Sequence, residues 1–217
     1  MLTENRIRVI QVSEDLNVGG LEVFLRHLAL HLNATHVAQR FCCLTRGGLI
    51  AQEIECMGKV VDILGLKSFY RVTEVARLVA YFKNLRPDVV HTHGEFASTF
   101  GRFAAYLAGV PVILRHIQTK ADLDWNHRVY DGVLTRFTSG AIAVSEDCGR
   151  HHRCLSRVPR RKIRVIPNGA DIDAIDSAPL SESLYSELGL EQKDLVIGSV
   201  GRFTPNKGQK YLIRAMP

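Results

Sequence analysis

The sequence predicts an α/β fold, a parallel sheet covered by helices on both faces. Two observations carry that reading. Short apolar runs alternate along the whole chain with longer stretches whose apolar residues recur at helical spacing. The short runs are apolar throughout rather than at every second residue, which belongs to strands buried on both sides. Composition agrees, because 46% of the 217 residues are hydrophobic and the mean hydropathy is +0.01, enough to fill a core.

Taken in order, Ile7 to Val12 reads as the first strand, and Ser13 to Gly20 as a polar loop closed by Gly19 and Gly20. Leu21, Phe24, Leu25, Leu28 and Leu32 then mark one helical face. Val37 to Thr45 is a strand, Leu49 to Met57 a helix and Val60 to Leu64 a strand. An amphipathic helix over Val72 to Leu85 stops at Arg86-Pro87, since the residue before proline avoids helical backbone. Asp88 to His91 is the next strand, followed by a helix from Phe96 to Ala108 closed by Gly109. Pro111 to Leu114, Ala141 to Val144 and Lys162 to Ile166 complete the strands. Helices over Asn126 to Thr138 and Glu146 to Leu155 separate them.

Pro167 changes the texture. The turn Asn168-Gly169-Ala170-Asp171 opens a stretch mixing Asp, Ser and Glu, read as an inter-domain linker over 168–192. Residues 1–167 thus form a first domain and 193–217 the start of a second, with a strand at Asp194 to Val200 and a helix after Gly208. In such sheets ligands gather at the C-terminal ends of the strands.

No apolar run reaches membrane-spanning length, and Met1 to Arg8 lacks the apolar core of a secretory signal. Five cysteines, an odd number, suit reduced thiols better than a disulfide framework. These features predict a cytoplasmic protein. The formal net charge of +6 is concentrated: from Arg150 to Arg164 there are seven Lys/Arg, two His and no acid. Such a block attracts phosphates, on lipid headgroups or on a small substrate. A nucleic-acid partner is the weakest reading of it, because aromatics make up 7% of the chain and none lies within the block.

Four segments occur in order: Gly19-Gly20-Leu21-Glu22, Pro87-Asp88-Val89-Val90-His91-Thr92-His93, Ile166-Pro167-Asn168-Gly169-Ala170-Asp171, and Val200-Gly201-Arg202 with Lys207-Gly208. Together they resemble the glycosyltransferases with two Rossmann-like domains, the GT-B fold, and within them the retaining family 4. The resemblance covers the whole chain and makes it the N-terminal half of that fold plus the first elements of the C-terminal half. It implies transfer of a sugar from a nucleoside diphosphate sugar to a hydroxyl acceptor, with retention, without a metal ion and without any other cofactor. The acceptor is lipid-linked in some members, so the resemblance extends the cytoplasmic location to the inner membrane face. The family's donor-binding glutamates fall beyond position 217, so a chain of this extent is expected to show little activity alone.

By the same resemblance His116, which follows the strand Pro111 to Arg115, lies beside the transferred sugar, with His93 second. Gly19 and Gly20 let the backbone approach the donor diphosphate. Arg202 and Lys207 supply a fork and a point charge to it. No Gly-Lys-Ser/Thr follows, which argues against a Walker-type ATPase. Arg150, Arg153, Arg157, Arg160, Arg161 and Lys162 are the candidates for acceptor or anionic-membrane contact. His91 and His93 share a side of their strand, but a third ligand at useful spacing is lacking, so no metal site is expected. Cys148, His151, His152 and Cys154 match no common zinc spacing either. Two other readings remain open at this point: a non-catalytic partner subunit, and a sugar-nucleotide epimerase of the same fold.

Overall fold

A computed structural model describes residues 6–68, 71–120, 125–156, 158–177, 186–189, 191 and 195–216. Seven parallel strands form one sheet in the order β3-β2-β1-β4-β5-β6-β7. They are β1 (Ile7–Asp15), β2 (Val37–Arg46), β3 (Val60–Ile63), β4 (Val89–His93), β5 (Val112–Ile117), β6 (Gly140–Ala143) and β7 (Ile163–Val165). The helices between them are α1 (Gly20–His31), α2 (Leu49–Cys56), α3 (Val72–Leu85), α4 (Glu95–Ala108), α5 (Trp125–Phe137) and α6 (Glu146–Ser156). The strand order reverses between β1 and β4, which is where an open α/β sheet leaves a crevice for ligand.

Alternation along the strands splits the core in two. Phe41 and Cys43 of β2 meet Leu25 and Ala29 of α1 and Ile50, Ala51 and Ile54 of α2 on one face. Ile10, Val12, Cys42, Val90 and Ile113 meet Leu78 and Phe82 of α3 and Ala97, Ala104 and Ala105 of α4 on the other. Further along that second face, Ile117, Ala141 and Ala143 pack on Cys148 of α6. Burying residues of this size contributes roughly 1.5–3 kcal/mol for each large side chain. All five cysteines are free thiols: Cys42, Cys43 and Cys148 are buried, whereas Cys56 and Cys154 are exposed.

Two turns hold the C-terminal edge of the sheet. Gly48, before α2, lies so close to the β1–α1 loop that a Cβ there would come within 2.6 Å of the Asn17 backbone. Ala51 N–H also donates to the Leu16 carbonyl at 3.2 Å, so the loop leading into Gly19 and Gly20 is braced from beneath. Gly94 joins β4 to α4 at φ 78°, in the left-handed region that glycine enters without strain.

Residues Met1–Gly169 form one compact unit and Ala170–Pro217 another. The second holds α7 (Ile172–Asp176), a 3-10 turn at Pro205–Lys207 and α8 (Gln209–Ala215). The strand expected at Asp194 to Val200 is not formed: residues 195–200 have no regular structure, and Leu195 and Val200 are 92% and 106% exposed. Asp194 lies outside the described residues. An apolar run becomes a strand only where a neighbour accepts its backbone hydrogen bonds. Among the described residues no helix is long and apolar enough to cross a membrane.

Candidate functional site

Next to the reversal point, β4 and β5 run side by side with His93 directly opposite His116. His91, two residues before His93, projects from the same face. The strand ends expected at His91 and Leu114 therefore extend to His93 and Ile117, and this extension brings the three imidazoles together. Ring centroids are 4.2 Å apart for His91 and His93, 5.2 Å for His93 and His116, and 5.3 Å for His91 and His116. Phe24, from α1, closes over them with its ring 4.7 Å from that of His116. All three are buried.

Burial decides their charge. Removal from water pushes His91 down to about 3, with His116 adding to the effect. His116 is pushed down to about 4 by burial. His93 lies well below the ordinary histidine value because of burial first and then its two neighbours. All three imidazoles are neutral at pH 7. His93 Nε2 donates to Gln11 Oε1 of β1 at 2.8 Å, which leaves Nδ1 as its lone-pair nitrogen. Both nitrogens of His116, Nδ1 of His93 and Nε2 of His91 have no protein partner.

Behind β5, on the opposite face, lies a buried charge network. Arg115 Nη1 donates to Asp131 Oδ2 at 2.5 Å and Nη2 to Glu95 Oε2 at 3.1 Å. Arg102 donates to the other Asp131 oxygen, and its Nε donates to the Ser98 carbonyl at 2.6 Å. His152 Nε2 donates to the Thr119 carbonyl at 3.0 Å and stands beside Arg115. The network ties β5 to α4, α5 and α6 one residue away from His116. It was missed in the sequence, although a lone arginine at the end of an apolar strand was a visible signal; Gln11 within Ile7 to Val12 was another.

The remaining expected residues fall in separate places. Gly19 caps α1 in extended backbone and Gly20 opens the helix; a Cβ at Gly20 would meet open space, so the backbone there is accessible. Glu22 folds its carboxylate over Gly19, and a diphosphate at this turn requires that side chain to swing out. Arg202 and Lys207 belong to the second unit, both exposed, in a loop closed by Gln209 Nε2 donating to the Arg202 carbonyl at 3.0 Å. Arg150, Arg160 and Arg161 are exposed and Arg153 is half-buried, whereas Arg157 lies outside the described residues. Lys162 is engaged in the fold: its Nζ donates to the Thr135 and Thr138 carbonyls at 2.8 and 2.7 Å, at the C-terminal end of α5. Local spacing did not show that His116, across the strands, brings a third imidazole nitrogen within 4.8 Å of nitrogens of His91 and His93.

Comparison with known proteins gives three kinds of agreement. The family described as Glycosyltransferase Family 4 matches residues 18–174. The chain is 27% identical over 228 aligned positions, 98% of its length, to the putative glycosyltransferase EpsF of Bacillus subtilis, of which the match covers 58%. It is 29% identical over 161 positions, 66% of its length and 40% of the relative's, to the Escherichia coli UDP-Gal:alpha-D-GlcNAc-diphosphoundecaprenol alpha-1,3-galactosyltransferase. The chain thus spans about half the length of these relatives. Its fold matches that of Anabaena HepE, solved in complex with UDP and glucose, with a TM-score of 0.79 over 97% of this chain and 57% of that one, at 21% identity.

Proposed function

The chain belongs to glycosyltransferase family 4, and from that premise we propose that it serves the transfer of a sugar from a nucleoside diphosphate sugar to a hydroxyl acceptor, with retention and with no metal ion in the transfer step. On this reading Met1–Gly169 is the acceptor side, and Ala170–Pro217 contributes the first cations of the donor side. The acceptor is a polysaccharide or lipid-linked hydroxyl, in keeping with the printed activity of the Escherichia coli relative. The donor is a uridine diphosphate sugar, in keeping with that relative and with the ligands of the Anabaena structure.

The observation that carries the reading is the pair His93 and His116, neutral and side by side at the strand ends where the sheet order reverses. As the bond from sugar to diphosphate breaks, positive charge develops at the sugar and negative charge on the leaving phosphate. A neutral imidazole meets the first with a lone pair or holds a sugar hydroxyl by hydrogen bonding, without adding a competing cation. For the second, the family resemblance alone nominates Arg202 and Lys207 of the second unit, and within the first unit the open backbone at Gly20 offers an N–H. Exposed Arg150, Arg160 and Arg161 draw the acceptor or its anionic membrane surface toward the fold.

The test is steady-state transfer by an enzyme carrying the complete donor domain. His116→Ala is expected to lower turnover while leaving uridine diphosphate affinity within about twofold, the pattern of a group that acts in the transition state. Lys207→Ala is expected to lose about 2–4 kcal/mol of transition-state stabilisation. Equal losses of affinity and turnover at His116, or unchanged turnover at Lys207, would remove these residues from the proposed roles.

A further inference from the structure

Three neutral, buried imidazoles with four unpartnered nitrogens are an unusual thing to leave inside a protein. A buried polar atom without a partner is destabilising by about 1–3 kcal/mol, and His91, His93 and His116 together present four. No carboxylate belongs to the cluster, so protonating the rings is not the remedy. One ligand nitrogen from each ring lies within 4.8 Å of the other two. Tetrahedral coordination with metal–nitrogen bonds of about 2.0–2.1 Å sets ligand nitrogens about 3.3 Å apart. Closing that difference falls mainly to His116, which no protein hydrogen bond tethers at either nitrogen.

The surroundings resemble those of a histidine metal ligand. Gln11 accepts from His93 Nε2, fixes the tautomer and turns Nδ1 into the coordinating atom, the role an outer hydrogen-bond partner plays in such sites. Phe24 of α1 lies over the cluster, its ring 6.0 Å from that of His93 and 4.7 Å from that of His116. Strand pairing sets the spacing of the ligands, because His93 and His116 are register partners and His91 is two residues away on the same strand. Coordination there needs no loop to order.

We propose that His91, His93 and His116 form a three-histidine site for a single first-row transition ion of the zinc, cobalt, nickel or copper class, with the fourth position left to water or an anion. Magnesium and calcium are excluded by the ligand chemistry, since both require oxygen donors. Ion binding at the site does not depend on the transferase reading, whereas its effect on transfer rests on that reading. An ion held there takes His93 and His116 from the sugar, so loading is expected to silence transfer rather than assist it.

The experiment is a titration of the metal-free chain with cobalt(II), followed by the visible d–d bands, with zinc competition against a chelating dye. It is run in a His27→Ala/His31→Ala background, because those two side chains lie one turn apart on α1 with rings 6.0 Å apart and form a rival surface pair. Expected are one cobalt per chain with tetrahedral bands, at least tenfold weaker binding in His91→Asn, and about 10–100-fold weaker binding in Gln11→Leu. Absence of cobalt and zinc binding in that background overturns the site, as does binding that His91→Asn leaves unchanged. Should His91→Asn fail to fold, side-chain nitrogen resonances of the unsubstituted chain decide the matter. Zinc must shift those of His91, His93 and His116; shifts confined to other histidines overturn the proposal.

Discussion

One carboxylate, Asp131, stands between two guanidiniums, and all three side chains are 5% exposed or less. One of its oxygens meets Arg102 and the other Arg115, and among the described residues neither cation has a second buried acid of equal standing; Glu95, which also meets Arg115, is 32% exposed. Burial already pulls Arg102 down to about 10. Asp131→Asn is therefore expected to destabilise the fold by about 3–5 kcal/mol, the effect of stranding a buried charge, read as a fall in urea midpoint. His152 gives a pH signature to the same network. Burial first, and then the Arg115 charge, hold it below the ordinary histidine value. Below about pH 6.5 the unfolded chain takes up a proton that the folded chain refuses, so stability is lost as the pH falls from there toward the folded value. His152→Gln is expected to flatten the thermal midpoint between about pH 6.5 and 5 relative to the parent, and a slope equal to the parent's would show that His152 does not contribute. Beyond the lone Arg115 ending an apolar strand, the partners of this network were not readable in the sequence, because Asp131 lies 29 residues from Arg102 and 16 from Arg115.

The elements themselves were far more legible. Apolar runs and helical spacing located every strand and helix of the first unit, and α3 runs from Val72 to Leu85 as its spacing predicts. The errors lie at strand ends. β4 and β5 were read too short because Thr92, His93, Arg115 and His116 are polar, yet backbone pairing to the neighbouring strand carries them into the sheet. Asp194 to Val200 fails the other way: it is apolar enough, but residues 195–200 find no ladder. The basic block also divides once its elements are placed. Lys162 leaves the 3-10 turn Arg160–Lys162 to bond the last carbonyls of α5, while Arg160 and Arg161 of the same turn remain exposed. Reversing Arg160 and Arg161 to glutamate is expected to weaken binding to vesicles rich in anionic lipid, by about 1 kcal/mol for each charge removed and more for reversal. Lys162→Ala should instead lower the melting temperature and leave vesicle binding unchanged. Vesicle binding that is lost in Lys162→Ala and kept when Arg160 and Arg161 are reversed would assign the contact to Lys162 instead.

At the scale of the molecule, the sheet order β3-β2-β1-β4-β5-β6-β7 sets where a ligand can be met; the resemblance in four short segments anticipated the Rossmann-like parallel sheet, though not the order of its strands. The three-histidine cluster was not anticipated, because it depends on the register between β4 and β5, which hydropathy does not encode. The same layering sorts the thiols. Cys56 lies on α2 and Cys154 on α6, above opposite faces of the sheet, while Cys42 and Cys43 of β2 and Cys148 on the inner side of α6 are buried. Burial raises the Cys43 thiol to about 12 and Cys42 further still, so neither reacts without the sheet parting. The chain thus carries its own chemical stopwatch. A maleimide should consume two thiols at once, tagging the two faces with one label each, and the slow consumption of the other three should report how often the core breathes open.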